Sequence, residues 1–110
     1  MVRIMHRVKG KNIFIAECKF WQGPKSLFKT IDQLLGYASW RDTKTAVLLF
    51  NRKVRFSTVL DKIPDTVSNH PCFKRKVSVT GETVFRYIFH QPADTNRELV
   101  LTVLAFDVPG

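Results

Sequence analysis

The sequence predicts an α/β fold built on a mixed sheet, with a β-hairpin, a crossover helix and an antiparallel C-terminal portion. Three observations carry this. Residues 13–20 and 44–50 are short apolar runs of strand length, residues 27–40 show helical spacing between them, and two alternating segments follow, joined through Thr80-Gly81-Glu82.

Residues 2–8 alternate in part, and Lys9-Gly10-Lys11-Asn12 after them is a turn signal. In 13–20, Ile13, Ile15, Glu17 and Lys19 point one way and Phe14, Ala16, Cys18 and Phe20 the other. Apolar residues on both faces predict a central strand covered on both sides. Gly23-Pro24 ends it, and Ser26 is a candidate cap for the next element. Leu27, Phe28, Ile31, Leu34, Leu35 and Ala38 then fall within about 120° of arc on a helix, with Thr30, Gln33, Tyr37 and Trp40 along one flank. Strand, helix, strand in this order predicts a crossover that sets 13–20 and 44–50 parallel. Residues 56–67 read as a second helix whose end Pro64 obscures. Residues 73–79 and 83–90 read as a hairpin, 91–96 as a polar turn-rich link, and 98–106 as a last strand.

A chain of 110 residues with 45% hydrophobic and 12% aromatic content is one domain's worth of material, predicted to span 1–110. Lys plus Arg number 18 against nine Asp plus Glu, a net charge of +9. That surplus favours polyanionic partners, because neutralising phosphates releases their condensed counterions; an ordinary basic protein is the equally open alternative. The bias is strongest in residues 1–29, where seven cations face the single acid Glu17. Two cysteines, Cys18 and Cys72, are too few for a disulfide scaffold and lack metal-site spacing. A reducing cytoplasmic setting is the expectation. No run approaches the roughly 20 apolar residues of a spanning helix, so no membrane is expected.

The acid-x-Lys pattern occurs twice, as Glu17-Cys18-Lys19 and as Asp42-Thr43-Lys44. The first closes an apolar strand, so a carboxylate and an ammonium emerge on one face at the strand's carboxyl end. The second lies in the link leaving a helix, where charge is expected anyway. A charge on an otherwise apolar strand needs a partner or a metal, since burying it alone costs several kcal/mol. The plain reading is that Glu17 and Lys19 pair with each other. Beyond Lys19, Gln33 and Tyr37 stand four residues apart on the predicted helix, one above the other.

In this order of motifs the chain resembles the PD-(D/E)XK nuclease superfamily, especially its restriction-endonuclease-like and RecB-like branches. There a strand ending in Glu-x-Lys precedes a helix bearing Gln-x-x-x-Tyr. The stretches ECKFW, TIDQLLGY and WRD are similar to a group of restriction-endonuclease-like bacterial proteins of unassigned biological role, and the resemblance spans about residues 3–50. It implies a restriction-endonuclease-like core and a metal-dependent phosphodiesterase acting on DNA. Glu17 and the Cys18 backbone carbonyl would ligate Mg²⁺ or Mn²⁺, and Lys19 would orient the attacking hydroxide. Gln33 and Tyr37 would brace the site, while Lys25, Lys29 and Arg41 would hold the nucleic-acid backbone. A non-catalytic nucleic-acid-binding or assembly domain that keeps the fold is the alternative, and a homodimer is compatible with either.

One piece is missing. The superfamily uses an upstream acid as a second ligand, yet residues 1–16 contain neither Asp nor Glu. A chain beginning midway through a larger protein would account for this. Hairpin geometry sharpens the point. A two-residue turn at Gly10-Lys11 sets Glu17 against Ile4, and a three-residue turn sets it against Arg3. Neither brings a carboxylate beside Glu17, so weak metal binding and little nuclease activity are expected of this chain alone. Asp32, Asp42 and Asp61 are the remaining candidates for a second ligand. The other histidines and cysteines, His70-Pro71-Cys72 among them, have no partner pair for a zinc site.

Overall fold

A computed structural model describes residues 2–8, 11–38, 44–77 and 81–109, with the backbone alone described at 2, 5–8 and 11–13. Strand β1 (Val2–Val8) pairs antiparallel with β2 (Lys11–Phe20), as the hairpin pattern predicts. The register is set in two steps. Val8 pairs with Lys11 and Arg7 with Asn12, then an irregularity between His6 and Arg7 shifts the ladder, so that Arg3 faces Glu17 and Val2 faces Cys18. The expected alternative with Arg3 opposite Glu17 is thus realised, through a bulge-type shift that adds one residue to β2.

Helix α1 (Pro24–Tyr37) begins three residues earlier than the apolar spacing predicts. Pro24 takes the first helical position, where its missing N–H costs nothing, and Gly23 at φ 98° makes the sharp entry. Ser26 is therefore not the cap; it lies inside the first turn. The helix stops at Tyr37, with Ala38 extended; Trp40, the expected end, lies outside the described residues.

Strand β3 (Lys44–Asn51) returns parallel to β2, with Glu17 opposite Val47 and Phe20 opposite Phe50. Helix α2 (Phe56–Ser68) runs through Pro64, whose exposed position lets the helix absorb one lost hydrogen bond. Strands β4 (Phe73–Val77), β5 (Val84–Gln91) and β6 (Asp94–Asp107) complete a six-stranded sheet in the order β1-β2-β3-β6-β5-β4. β6 lies parallel to β3, while β5 and β4 are antiparallel to their neighbours. The polar link expected at 91–96 shrinks to Pro92-Ala93, because Asp94–Asn96 are already strand. Their polarity reflects exposed strand, which composition alone does not separate from a turn.

Both helices cover the same face. Ile15, Val47, Leu49, Phe89, Leu101 and Val103 meet Leu27, Ile31, Leu34, Val59, Ile63 and Val67 in one core. Helix α1 crosses β2 and β3, while α2 lies over β4 and β6. Among the described residues β2 is covered on one face, not on both as its apolar pattern predicts. β2 is central in its hydrogen bonding, yet among the described residues nothing packs over its second face. Phe14 and Phe20 on that face are 38% and 47% exposed, and Phe106 on the same face of β6 is 41% exposed. No described helix is long and apolar enough to cross a membrane.

Candidate functional site

Glu17 lies three residues before the carboxyl end of β2, facing α1, and is fully buried. Its partner is not Lys19. The Arg3 guanidinium, directly opposite on β1, donates from Nε to Glu17 Oε1 at 2.6 Å. The same guanidinium lies over the Tyr37 ring, 4.0 Å from its centroid. Hydrogen bonding to Glu17 raises the Arg3 pKa above its ordinary value against the opposing effect of desolvation, and Tyr37 adds to the rise. The second carboxylate oxygen, Oε2, is buried and has no hydrogen-bond partner.

Lys19 turns to the start of α1 instead. Its Nζ donates to Ser26 Oγ, to Thr30 Oγ1 at 2.9 Å and, more weakly, to the Ser26 carbonyl oxygen at 3.5 Å. Thr30 in turn donates to the Ser26 carbonyl at 2.9 Å. Desolvation lowers the Lys19 pKa, and the nearby Glu17 charge works against that shift. The expected Glu17–Lys19 pair is thus replaced by two separate arrangements: carboxylate with guanidinium, ammonium with hydroxyls. Thr30 is buried and Ser26 half-buried, and neither stood out in sequence as site residues. The available signal was that Lys19 needs acceptors from whatever helix begins above it.

The other expected residues divide. Tyr37 joins the site through Arg3. Gln33, one turn earlier, is exposed, and no described hydrogen bond ties it to Glu17 or Lys19. Lys25 and Lys29 are exposed on α1. Arg41 and Asp42 lie outside the described residues. The backbone carbonyl of Cys18 remains geometrically adjacent to Glu17, as on any strand. Asp61 is exposed on α2, and Asp32 is engaged elsewhere.

That engagement is a feature sequence reading missed. His70 is buried, and its Nδ1 accepts the Cys72 backbone N–H at 3.0 Å, which leaves its Nε2–H to donate to Asp32 Oδ1 at 2.6 Å. The ring packs on Phe28 and Phe89, with centroids 4.8 and 5.4 Å away. It staples α1 to the turn after α2. Burial raises the Cys72 thiol, and Asp32 raises it further, so this thiol is poorly nucleophilic.

A groove of about 570 Å³ opens at the carboxyl ends of β2 and β3, lined by Phe20, Trp21, Gln22, Gly23, Arg52, Lys53 and Val54. The Arg52 guanidinium lies 4.7 Å from the Phe20 ring centroid. Buried Asn51 holds this turn, donating to the Val54 carbonyl at 2.6 Å and to Asp107 Oδ1 at 3.0 Å. Arg52, Lys53 and Arg55 form a dense cationic run that the sequence displays plainly, though only the fold sets Arg52 and Lys53 beside residues 20–23.

A Mg²⁺ or Mn²⁺ ion, implied by the resemblance, does not fit the residues present. Glu17 is the only carboxylate that the described strands bring to this point, and one of its oxygens is already bound to a cation. Among the described residues no group of three His, Cys, Asp or Glu side chains could hold a metal. Comparison with family models, curated proteins and solved structures returns no match for the chain.

Proposed function

We propose that this chain is a nucleic-acid-binding domain on a restriction-endonuclease-like core, and that its nuclease-type site does not cut in this 110-residue form. The observation that carries the reading is the pairing of Glu17, the one carboxylate that the described residues bring to the site, with Arg3. That pairing leaves the surrounding cations to face solvent and a polyanion. Arg52 and Lys53 line the groove at the carboxyl end of β2, and Lys25 and Lys29 are exposed on α1. With a net charge of +9, they suit phosphate contacts, which position a duplex without reading its sequence.

A second reading, Mg²⁺-dependent cleavage of DNA, rests on one observation: the buried Glu17 Oε2 has no hydrogen-bond partner among the described residues. Under it, Glu17 and the Cys18 carbonyl would hold the ion, Lys19 would orient the nucleophile, and Tyr37 would brace the site. Among the described residues Gln33 has no hydrogen bond that supports its part.

Anisotropy titrations of labelled duplex DNA separate these readings from an ordinary basic protein. Binding should be insensitive to sequence and weaken about tenfold for each doubling of salt, as when about four phosphates are neutralised. No binding at low salt, or binding indifferent to salt, would overturn the proposal. Cleavage of the same duplex on adding Mg²⁺ or Mn²⁺, lost in Glu17→Ala, would favour the second reading.

A further inference from the structure

We infer that Arg3 is the built-in cation of this site, occupying the place beside Glu17 that a divalent ion would otherwise take, and that Arg3→Asp alone converts the site into a two-carboxylate metal centre. The inference deepens the reading of a nuclease-type site that does not cut, and rests on it.

Three features carry it. First, Arg3 and Glu17 are directly opposed on antiparallel strands, a position where Cβ atoms stand about 5 Å apart. Two carboxylates at that spacing can both reach one ion whose oxygens lie about 2.1 Å away for Mg²⁺. Second, Glu17 is fully buried, its Oε1 is held by Arg3 at 2.6 Å, and its Oε2 has no partner. The carboxylate is thus satisfied on one side only, and the charge opposite it is positive. Third, Arg3 is held from its far side by the Tyr37 ring, 4.0 Å from the guanidinium carbon. A guanidinium so placed leaves no room for competition by a weakly held ion, since it carries its charge covalently and needs no dehydration of an aquo-ion. Lys19 does not share this duty, being engaged by Ser26 and Thr30.

The test is calorimetric titration of the whole 110-residue chain with Mn²⁺ and Mg²⁺, with no nucleic acid and no activity readout. The unmodified chain is expected to give no heat of site binding below millimolar metal. Arg3→Asp should bind Mn²⁺ with an affinity at least tenfold tighter, and should melt at a higher temperature when Mn²⁺ is added. Because an aspartate at the exposed position 3 would repel the buried Glu17 carboxylate when metal-free, folding of that variant is followed in Mn²⁺ by circular dichroism. A second variant, Arg3→Asn, removes the cation and adds a neutral oxygen ligand, and should gain a smaller but measurable Mn²⁺ affinity.

Double substitution Arg3→Leu with Glu17→Leu replaces the ion pair by apolar side chains, which often keeps a fold intact. It should show no metal response. Tight Mn²⁺ binding by the unmodified chain would overturn the inference, as would folded Arg3→Asp and Arg3→Asn chains that bind no more metal than the unmodified one. A metal response that persists in the double variant would place the ion elsewhere and overturn it too. DNA affinity of the unmodified chain is read separately by anisotropy, so loss of the binding proposal and loss of this one are told apart.

Discussion

Tyr87 and Lys19 show opposite ways of burying a titratable group. Lys19 finds hydroxyl and carbonyl acceptors, yet desolvation still lowers its pKa. Folded Lys19 therefore releases its proton before the unfolded chain does, and its effect on stability improves as pH rises toward 10.5. Tyr87 is buried with no partner for its hydroxyl, and desolvation pushes its pKa up to about 12. Here the sign reverses. The unfolded phenol ionises first, so the protonated folded form is favoured below pH 10 and that advantage drains away between 10 and about 12. Tyr87→Phe keeps the ring against Phe73 and removes the unpaired hydroxyl. At pH 7 it should be more stable by about 1 kcal/mol, the lower end for an unsatisfied buried group. Its lead over the unmodified chain should widen above pH 10. Urea melts at pH 7 and pH 11 read both effects, and an equal gap at the two pH values would contradict the assignment.

At the scale of elements, the two faces of the sheet have different energetic standing. Leu34 on α1 is fully buried against β2 and β3, so truncation leaves a cavity. Leu34→Ala should cost about 3 kcal/mol, within the range for buried leucines. Phe14, on the uncovered face of β2, is 38% exposed and has little to lose but cross-strand contact. Phe14→Ser should cost about 1 kcal/mol or less. Denaturant melts of the two variants test whether the helices cover one face only, because a doubly covered β2 would make the costs comparable. Helix α1 does more than bury its stripe. Its first two turns supply Ser26 and Thr30 to Lys19 and its last residue, Tyr37, packs on Arg3, so one helix braces both charged groups of the site.

Across the whole molecule, the uncovered face gathers apolar side chains from several strands in register. Phe20, Phe50 and Phe106 are paired across β2, β3 and β6, with ring centroids 6.1 and 5.2 Å apart. Beside them a groove of about 600 Å³ runs over Phe14, Ala46, Leu48, Val84 and Leu104, flanked by Lys44 and Arg86. Exposed contiguous apolar surface of this kind binds hydrophobic dyes even when the fold is intact. The chain should therefore enhance anilinonaphthalene fluorescence while unfolding cooperatively. Phe20→Ser with Phe106→Ser should lower that signal at least twofold without changing the circular dichroism. An undiminished signal would place the dye elsewhere.

The linear order of elements was legible in the residues, because strand and helix periods are local properties: the hairpin, the parallel return of β3 and the C-terminal antiparallel strands follow from alternation, spacing and turn chemistry. Glu17 and Lys19 were also legible as unusual, since charge on an apolar strand stands out without any neighbour being known. Their partners were not. Arg3 is fourteen residues from Glu17, and which strand residue opposes it depended on an irregularity between His6 and Arg7 that only the paired backbones reveal. Ser26 looked like a cap until Pro24 began the helix ahead of it and freed its hydroxyl for Lys19. The Asp32–His70 staple joins residues 38 apart through the packing of two helices. Apolar residues on both faces of β2 announced a wish to be covered, but which face received the helices was settled by connection and packing. Periodicity states what a residue prefers to bury; only the folded chain decides what lies opposite.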